Sequence, residues 1–305
     1  MRRVDHQITL IRQRTKNTDY SATHGIDNQV FIEIINQAQD HLQAGIANVY
    51  SNEFILSSEI SIVADQEAYT TPDRILAASK IVSVEYSSSG NLEDYVNLSS
   101  RPQRDRMTSS GAPCFYFWRS GQVYLSPIPS TSQGKIRVTY YRELDDLDTE
   151  RGTINGTPAT TNLPTTGMDI TSQPINATNV RYLCVSDRDG NVMLRNAVVN
   201  TWASPNFTLA ANVSTYLVNG YSLGDLDKGS VTFGKYTTTL SKLSDHCERY
   251  LLVATQKRIM TVDESNSSLE EDAELKQIEQ GILNTYADES RDVEWIPIID
   301  PDVMY

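Results

Sequence analysis

Cysteine is scarce in this chain. Only Cys114, Cys184 and Cys247 occur in 305 residues, and none of them stands in a C-x-x-C spacing. Three cysteines so far apart in sequence cannot all pair with one another, so the pattern is not that of a disulfide framework. We expect free thiols in a reducing compartment.

Long apolar runs are also missing. No stretch approaches the roughly 18 uninterrupted apolar residues that a membrane-spanning helix requires. The N-terminal stretch MRRVDHQITLIRQRT has basic residues, but Asp5, His6, Gln7 and Thr9 interrupt its apolar positions. It therefore lacks the continuous core of a secretory signal. The sequence predicts a soluble protein without a membrane span or an export signal.

The chain also lacks the sequence signatures of catalysis and of metal binding. The chain has four histidines, His6, His24, His41 and His246, and none of them stands in a metal-ligand spacing such as H-x-x-x-H. Neither of the phosphate-binding motifs G-x-x-x-x-G-K-[ST] and G-x-G-x-x-G occurs. Adjacent side chains on a helix diverge by about 100°, so His246 and Cys247 cannot act together as base and nucleophile. We predict that the chain is not an enzyme and binds no cofactor.

One turn, DRDGNV, contains the oxygen ligands Asp187, Asp189 and Asn191. It lacks the downstream glutamate that a calcium loop places at a fixed distance. The carboxylate-rich stretch LEEDAELKQIEQ is typical of a solvated helix face rather than of an acid and base pair. We therefore expect no metal site.

Negative charge dominates what is present. The net charge is −13, and residues 263–305 hold thirteen Asp or Glu against Lys276 and Arg291. Such a surface repels nucleic acid. The first sixteen residues are basic instead, with five Arg or Lys against Asp5. This basic start either binds an acidic partner or forms a solvated helix face, and we favour the second interpretation.

Apolar residues at three- and four-residue intervals predict three helices. The first spans roughly 28–50, with Asp27 as its N-cap. Two more follow in the last third, beginning near residue 240 and near residue 269, and we expect them to form an antiparallel pair. Each helix carries an apolar stripe: Ile34, Ala38, Leu42 and Ile46 on the first, Leu243, Cys247, Leu251 and Ala254 on the second, and Leu275, Ile278, Ile282 and Tyr286 on the third.

Short alternating runs predict strands between residues 55 and 147. The run KIRVTYY places Ile136, Val138 and Tyr140 on one face. Ser120-Gly121 is a hairpin signal, because these residues take the positive φ that tight turns require. Strands so short and regularly spaced predict a small antiparallel sheet or sandwich.

The amino-acid composition changes after Asp148. The stretch DTERGTINGTPATTNLPTTGMDITSQPINAT is rich in Thr, Gly, Asn and Pro, and we interpret it as a long loop or as the entry arm of an insertion, without a core element of its own. Beyond this stretch, Asp189-Gly190 is a second hairpin signal, and we predict a small β module over roughly 175–237. The last residues contain Pro297 and Pro301, which predict an extended apolar tail.

These elements predict an α+β fold: a helical bundle with a small antiparallel β-sheet or sandwich and an inserted β-rich module. We divide the chain into five segments: 1–55, an N-terminal helical segment; 56–147, a β platform; 148–238, a β-rich insertion; 239–291, a C-terminal helical hairpin; and 292–305, the extended C-terminal tail.

The order of the parts carries a family resemblance. The chain begins with a helix, which is followed by the strand ending at Tyr69 and Pro72 and by the strand IVSVEY. Then come VYLSPIPS and IRVTYYREL, and finally helices starting near LSDHCERYLL. This arrangement resembles the head-to-tail adaptor (connector) proteins of tailed bacteriophages, over roughly 26–147 and 239–291. Residues 148–238 depart from it, since in the simple form of the family the second Tyr strand leads almost directly to the C-terminal helices.

The resemblance implies a structural virion protein, made in the host bacterial cytoplasm and located at the head-tail junction. It implies a homo-oligomeric ring, commonly a dodecamer, between the portal protein and the tail nozzle or tail tube protein. Genomic DNA would pass through the ring without specific binding, and the helices near 28–50 and 265–290 could supply the two faces that a ring subunit needs.

The tail is the candidate partner-binding site. Extended segments often fold onto a partner, and this one carries apolar anchors. We name Trp295, Ile296, Ile298, Ile299 and Tyr305 as candidate portal-binding residues. The alternative is that the tail covers the core of its own domain.

A different class of function remains open for residues 148–238. They could form a soluble carbohydrate- or host-surface-binding module, with Trp202, Tyr216, Tyr221 and Phe233 as stacking candidates. Aromatic side chains in β modules more often belong to the core. Within an adaptor, the same segment would suit contacts with tail spikes or fibres, or with the neighbouring subunit.

Overall fold

A computed structural model describes residues 1–15, 26–50, 53–72, 74–75, 81–91, 94–170, 175–218, 220–262 and 269–292. The chain divides into two compact units. One consists of Met1–Gly45 with Leu144–Tyr305, and the other is Ile46–Glu143. The division into five segments by sequence stays a prediction.

The described residues form four α-helices: α1 (Val4–Arg14), α2 (Asn28–Val49), α3 (Glu248–Val262) and α4 (Leu269–Asp292). The predicted helix at 28–50 is confirmed. The side chain of Asp27 caps it by accepting a hydrogen bond from the backbone N–H of Gln29 at 3.3 Å. Buried side chains of α1, α2 and α3, among them Ile11, Phe31 and Ile259, share one core cluster.

Helices α3 and α4 pack against each other in opposite directions. Tyr286, late in α4, shares a hydrogen bond of 2.9 Å with Ser244, which precedes α3. Lys257, late in α3, lines the same cleft as Leu275, early in α4. The predicted antiparallel pair is confirmed for these two helices, whereas the helical bundle of the predicted fold class stays a prediction. None of the described helices combines the length and the hydropathy that crossing a bilayer requires.

The second unit is built of short strands. Its strands are β1 (Ile55–Ser61), β2 (Ala68–Thr70), β3 (Ile81–Ser87), β4 (Val96–Asn97), β5 (Ser99–Ser100), β6 (Ser110–Gly111), β7 (Phe115–Arg119), β8 (Gln122–Ser126), β9 (Ile128–Pro129) and β10 (Lys135–Tyr141). They form one sheet in the order β1-β10-β3-β4 and another in the order β2-β8-β7-β5, with β6 and β9 paired separately.

The two four-stranded sheets share one core. Val84 and Val138 contribute to it from the first sheet, and Tyr69 and Val123 contribute from the second. The sequence therefore predicted correctly the antiparallel sheet pairing and the burial of alternate residues along β10, where Ile136, Val138 and Tyr140 are the buried positions. It did not predict the parallel pairs of β5 with β7 and of β6 with β9.

The predicted hairpin between β7 and β8 is also confirmed. Ser120 and Gly121 form its turn with φ of 50° and 75°. Strand β7 pairs antiparallel with β8 from Phe115↔Ser126 to Arg119↔Gln122. Because both turn residues have positive φ, the turn follows the twist of the strands.

A closed barrel completes the first unit. Its strands are β12 (Gly152–Ile154), β13 (Asn162–Thr166), β14 (Tyr182–Ser186), β15 (Val192–Ala203), β16 (Asn206–Leu209) and β17 (Ser230–Phe233), and the order around the barrel is β12-β13-β16-β15-β14-β17. The predicted hairpin at Asp189-Gly190 joins β14 to β15, with Gly190 at φ 72°.

The interpretation of the stretch after Asp148 as a long loop is wrong. This stretch supplies β12 and β13 of the barrel, and Ile154 and Leu163 are 1% and 0% exposed in its core. In a narrow barrel each short strand needs only one or two inward apolar side chains. The threonines that surround them suit strands well, because β-branched side chains favour extended backbone.

Outside the barrel, β11 (Asp146–Leu147) pairs in parallel with β18 (Thr237–Thr238). Since these strands immediately precede and follow the barrel strands, the chain enters and leaves the barrel side by side. The fold is thus mixed α+β, with four helices, several antiparallel sheets and a small barrel among the described residues.

Candidate functional site

The residues predicted to bind the portal lie outside the described residues. Trp295, Ile296, Ile298, Ile299 and Tyr305 all belong to 293–305, which follows the end of α4 at Asp292. Among the described residues, the helices that precede this segment offer a further candidate interaction surface.

A cleft of about 480 Å³ opens between α2, α3 and α4. Four positions of α2, three of α3 and one of α4 line it: Ile34, Gln37, Ala38, His41, Ala254, Lys257, Arg258 and Leu275. Sequence periodicity had placed four of these, Ile34, Ala38, Ala254 and Leu275, on apolar stripes. Periodicity did not predict that the stripes leave a cleft, because that depends on how far apart the helices are held.

Contacts at one end of the cleft hold the three helices together. The Nε2–H of His41 in α2 donates a hydrogen bond of 3.1 Å to the carboxylate of Glu279 in α4, and the ring stacks on Tyr250 in α3, with ring centroids 6.5 Å apart. Burial, and then the charge of Glu279, raise the pKa of Tyr250 to about 12. Tyr250 therefore stays neutral at physiological pH and acts as a packing surface.

A glycine lets α4 approach α2 next to this contact. A Cβ at Gly45 would lie 3.3 Å from a methyl carbon of Leu283. Because Gly45 follows His41 by one helical turn and Leu283 follows Glu279 by one turn, the two helices run in the same direction. The glycine is a signal that the sequence analysis missed.

The chemistry of the cleft is apolar with a positive rim. Ile34 and Ala38 are each 8% exposed, Ala254 and Leu275 are half-buried, and Arg258 is exposed. Arg258 forms no ion pair with any residue that the structure describes. A segment that combines apolar side chains with carboxylates would complement such a surface.

The basic N-terminal residues contact their own chain. Arg2 pairs with Glu248, Arg3 donates to Glu150 at 2.6 Å, and Arg12 donates to the backbone oxygen of Ile26 at 2.7 Å. One face of α1 is buried instead of solvated, with Ile11 fully buried. The buried side is the apolar one, and the exposure of Arg2 and Arg14 agrees with the preferred interpretation of the basic residues as a solvated face.

An ion pair is buried where the chain enters the barrel. The guanidinium of Arg151 donates to both carboxylate oxygens of Asp148, at 2.7 and 3.2 Å, and each side chain is 6% exposed. Asp148 also accepts a hydrogen bond from the backbone N–H of Phe233 at 2.9 Å. Burial alone would lower the pKa of Arg151, but its bonds to Asp148 and the nearby charges of Asp148 and Asp169 raise it, so the guanidinium remains charged.

The remaining candidates for chemistry have structural roles. Asp187 accepts hydrogen bonds from the backbone N–H groups of Asp189 and Asn191, at 2.9 and 2.7 Å. Burial alone would raise the pKa of Asp187, but these bonds, with those from the Asn191 side chain and Tyr221, lower it. Within the described ranges no group of three or more His, Cys, Asp or Glu could hold a metal ion.

The cysteines, all of which are described, form no disulfide. Cys184 and Cys247 are buried and Cys114 is exposed. His246 lies 2.9 Å from the hydroxyl of Ser244 and packs on Tyr286, with ring centroids 5.3 Å apart. The burial of Cys247 agrees with the apolar stripe on which the sequence placed it.

The four aromatic residues proposed to stack on sugars belong to the barrel core or pack against it. Phe233 is 4% exposed within the core cluster, and Trp202, Tyr216 and Tyr221 are partly buried against that cluster. Their positions fit the core interpretation, and the structure does not bring them together as one open platform.

Comparison with known families gives one match. The family model described as SU10 adaptor protein matches residues 7–168, which is just over half of the chain. The matched region runs from α1 through the second unit to β13, the second strand of the barrel. A comparison with curated proteins finds no match.

Proposed function

The chain belongs to the SU10 adaptor protein family, and we propose that it forms a closed ring between the portal and the tail of a bacteriophage. The observation that carries this proposal is the family match over residues 7–168. It supports a structural role in the virion rather than an enzymatic one. In the ring, the protein would connect the filled head to the tail nozzle or tail tube protein.

A ring requires two different faces on each subunit, because the same heterologous contact repeats around it. The outward side of α2 is one candidate face. It exposes Glu33, Gln37, Asp40 and Ala44 along successive turns. The outward side of α4 is the other candidate, and we propose a ring of twelve subunits.

The charge of the chain suits a conduit for DNA. Each phosphate that a basic side chain neutralises adds salt-dependent binding, which would hold the genome back. A net charge of −13 supports passage without specific binding.

The ring proposal is tested by the mass of the protein in solution. We expect light scattering to detect a small species for the purified chain alone and a ring of about twelve subunits when portal rings are added. If the chain stays monomeric or dimeric with portal rings from its own phage, the proposal is wrong.

We propose that residues 293–305 contact the portal, with Trp295, Ile296, Ile298, Ile299 and Tyr305 as anchors. Their apolar character, next to a helix end, supports this assignment. A chain truncated after Arg291 should bind portal rings more weakly than the full chain. Unchanged affinity of the truncated chain would remove this assignment and leave the ring proposal intact.

We propose that the barrel contacts tail spikes or fibres, or the neighbouring subunit. Its closed fold, joined to the helices by adjacent strands, supports a separate attachment role. A deletion of residues 150–236 should yield virions that lack part of their tail appendages. Virions with the full complement of appendages would count against the proposal.

A further inference from the structure

We propose that the cleft between α2, α3 and α4 is the docking surface for residues 293–305 of the same chain before it meets a partner. This inference goes beyond the ring function, since it concerns the isolated subunit. It assigns an occupant to the cleft formed by Ile34, Gln37, Ala38, His41, Ala254, Lys257, Arg258 and Leu275.

The chemistry of the segment complements that of the cleft. Residues 293–305 read VEWIPIIDPDVMY, with large apolar side chains at 295, 296, 298 and 299 and carboxylates at 294, 300 and 302. The cleft offers apolar walls at Ile34 and Ala38 and the exposed guanidinium of Arg258 at its rim. Val303, Met304 and Tyr305 would fill the walls while the carboxylate of Asp300 or Asp302 meets the rim.

The length of the segment is sufficient. It begins after Asp292, at the end of α4, and the cleft lies beside Leu275 of that helix. The return from residue 292 to the level of residue 275 is about 26 Å along a helix. At about 3.3 Å per extended residue, residues 300–305 span about 26–43 Å and reach that level, whereas residues 295–299 fall short of it. Pro297 and Pro301 prevent the segment from continuing as a helix.

Disulfide trapping tests the docking on the isolated full chain. In a Cys114→Ser background, which removes the exposed native thiol, Ala254→Cys is combined with Val303→Cys. The matched control combines Val303→Cys with Ala44→Cys, at an exposed alanine of α2 next to Gly45, which lies beside Leu283 of α4. A tethered segment that samples space freely would reach both positions, whereas a docked one selects the cleft.

We expect the Ala254→Cys pair to form an intramolecular disulfide at least ten times faster than the Ala44→Cys pair under the same oxidant. Similar rates for the two pairs would overturn the proposal. Disulfide-linked dimers from the Ala254→Cys pair would identify the cleft's occupant as a second copy and would overturn it as well.

A second measurement does not depend on engineered thiols. A labelled peptide of residues 293–305 should bind a chain that ends at Asp292 at least ten times more tightly than it binds the full chain, where the site is occupied. Arg258→Glu should weaken that binding several-fold, and Arg188→Glu, at an exposed arginine of a barrel turn, should not. Equal affinity of the peptide for the truncated and the full chain would overturn the proposal. Because no portal is present, failure here leaves the ring function untouched.

Discussion

Replacing Arg151 by methionine would leave the carboxylate of Asp148 buried without its cation. The two side chains are each 6% exposed, and two hydrogen bonds, of 2.7 and 3.2 Å, join them. Removing one partner of such a buried pair costs about 3–5 kcal/mol, because the remaining charge stays away from water. We expect Arg151→Met to destabilise the barrel by that amount.

Asp148→Ala should cost more than Arg151→Met. The carboxylate also accepts the backbone N–H groups of Phe233 and Thr149, each at 2.9 Å. Each buried donor left unpaired adds about 1–3 kcal/mol. The double variant should cost less than the sum of the two single variants, because it leaves no buried charge of this pair uncompensated.

Hydrogen exchange of strand β17 measures the effect locally, which matters because a chain of two units need not unfold in one step. At about 1.4 kcal/mol per factor of ten, 3–5 kcal/mol corresponds to exchange roughly 10² to 4 × 10³ times faster. Arg249→Met is the matched control: its ion pair with Glu274 is 69% and 46% exposed. Such a pair contributes about 0–1 kcal/mol. The reasoning is refuted if Arg151→Met accelerates exchange no more than Arg249→Met does, or if the costs of the two single variants simply add.

Three further substitutions test the barrel. Gly190→Ala should destabilise the barrel strongly, because Gly190 has φ 72° and a Cβ there would lie 2.5 Å from Leu240. Its control is Gly121→Ala in the hairpin between β7 and β8, where φ is 75° and a Cβ would meet no atom within 4 Å. That variant should cost only about 1 kcal/mol. Leu163→Ala should cost about 2–5 kcal/mol by thermal or denaturant unfolding, because a fully buried leucine leaves a cavity. Asp187→Asn should reduce the loss of folding stability that occurs in acid. The pKa of Asp187 is lowered in the folded state, so its ionised carboxylate contributes to stability above the ordinary carboxyl pKa. That contribution disappears as the pH falls through the lowered pKa.

Each of these expectations has a contrary outcome. Equal costs for the two glycine variants would show that the approach of Leu240 is relieved by a small shift. A cost below about 0.5 kcal/mol for Leu163→Ala would fit a surface loop. An unchanged acid limb of the stability profile in Asp187→Asn would mean that other carboxylates dominate it.

Local sequence patterns, such as alternating apolar residues and turn dipeptides, predicted the strands and turns correctly where those patterns occur. Alternation along KIRVTYY identified the buried side of β10, and Ser120-Gly121 identified a turn that needs positive φ. The family resemblance, drawn from the order of such elements, is confirmed by the match over residues 7–168.

Tertiary packing decided the parts that sequence reasoning missed. Ile154 and Leu163 stand among threonines, asparagines and prolines, so the density of apolar residues around them is low. Their burial depends on barrel closure by strands far away in sequence, including β16 and β17. The cleft is similar, since Ala38 and Ala254 lie on predicted stripes but line one cleft only through the packing of α2, α3 and α4, in which Gly45 lies close to Leu283.

Strand β11 links the barrel to the helices. Leu147 of β11 is 1% exposed and belongs to the core cluster of α1, α2 and α3. The side chain of Asn36 in α2 donates to the backbone oxygen of Leu147 at 3.0 Å and accepts from its N–H at 2.7 Å. On its other edge, β11 pairs in parallel with β18, where the chain leaves the barrel. Because both ends of the barrel are fixed at this strand, a whole module can be added there without separating α2 from α3. This geometry explains how a chain can carry a barrel between its platform strands and its C-terminal helices and still build one helical core.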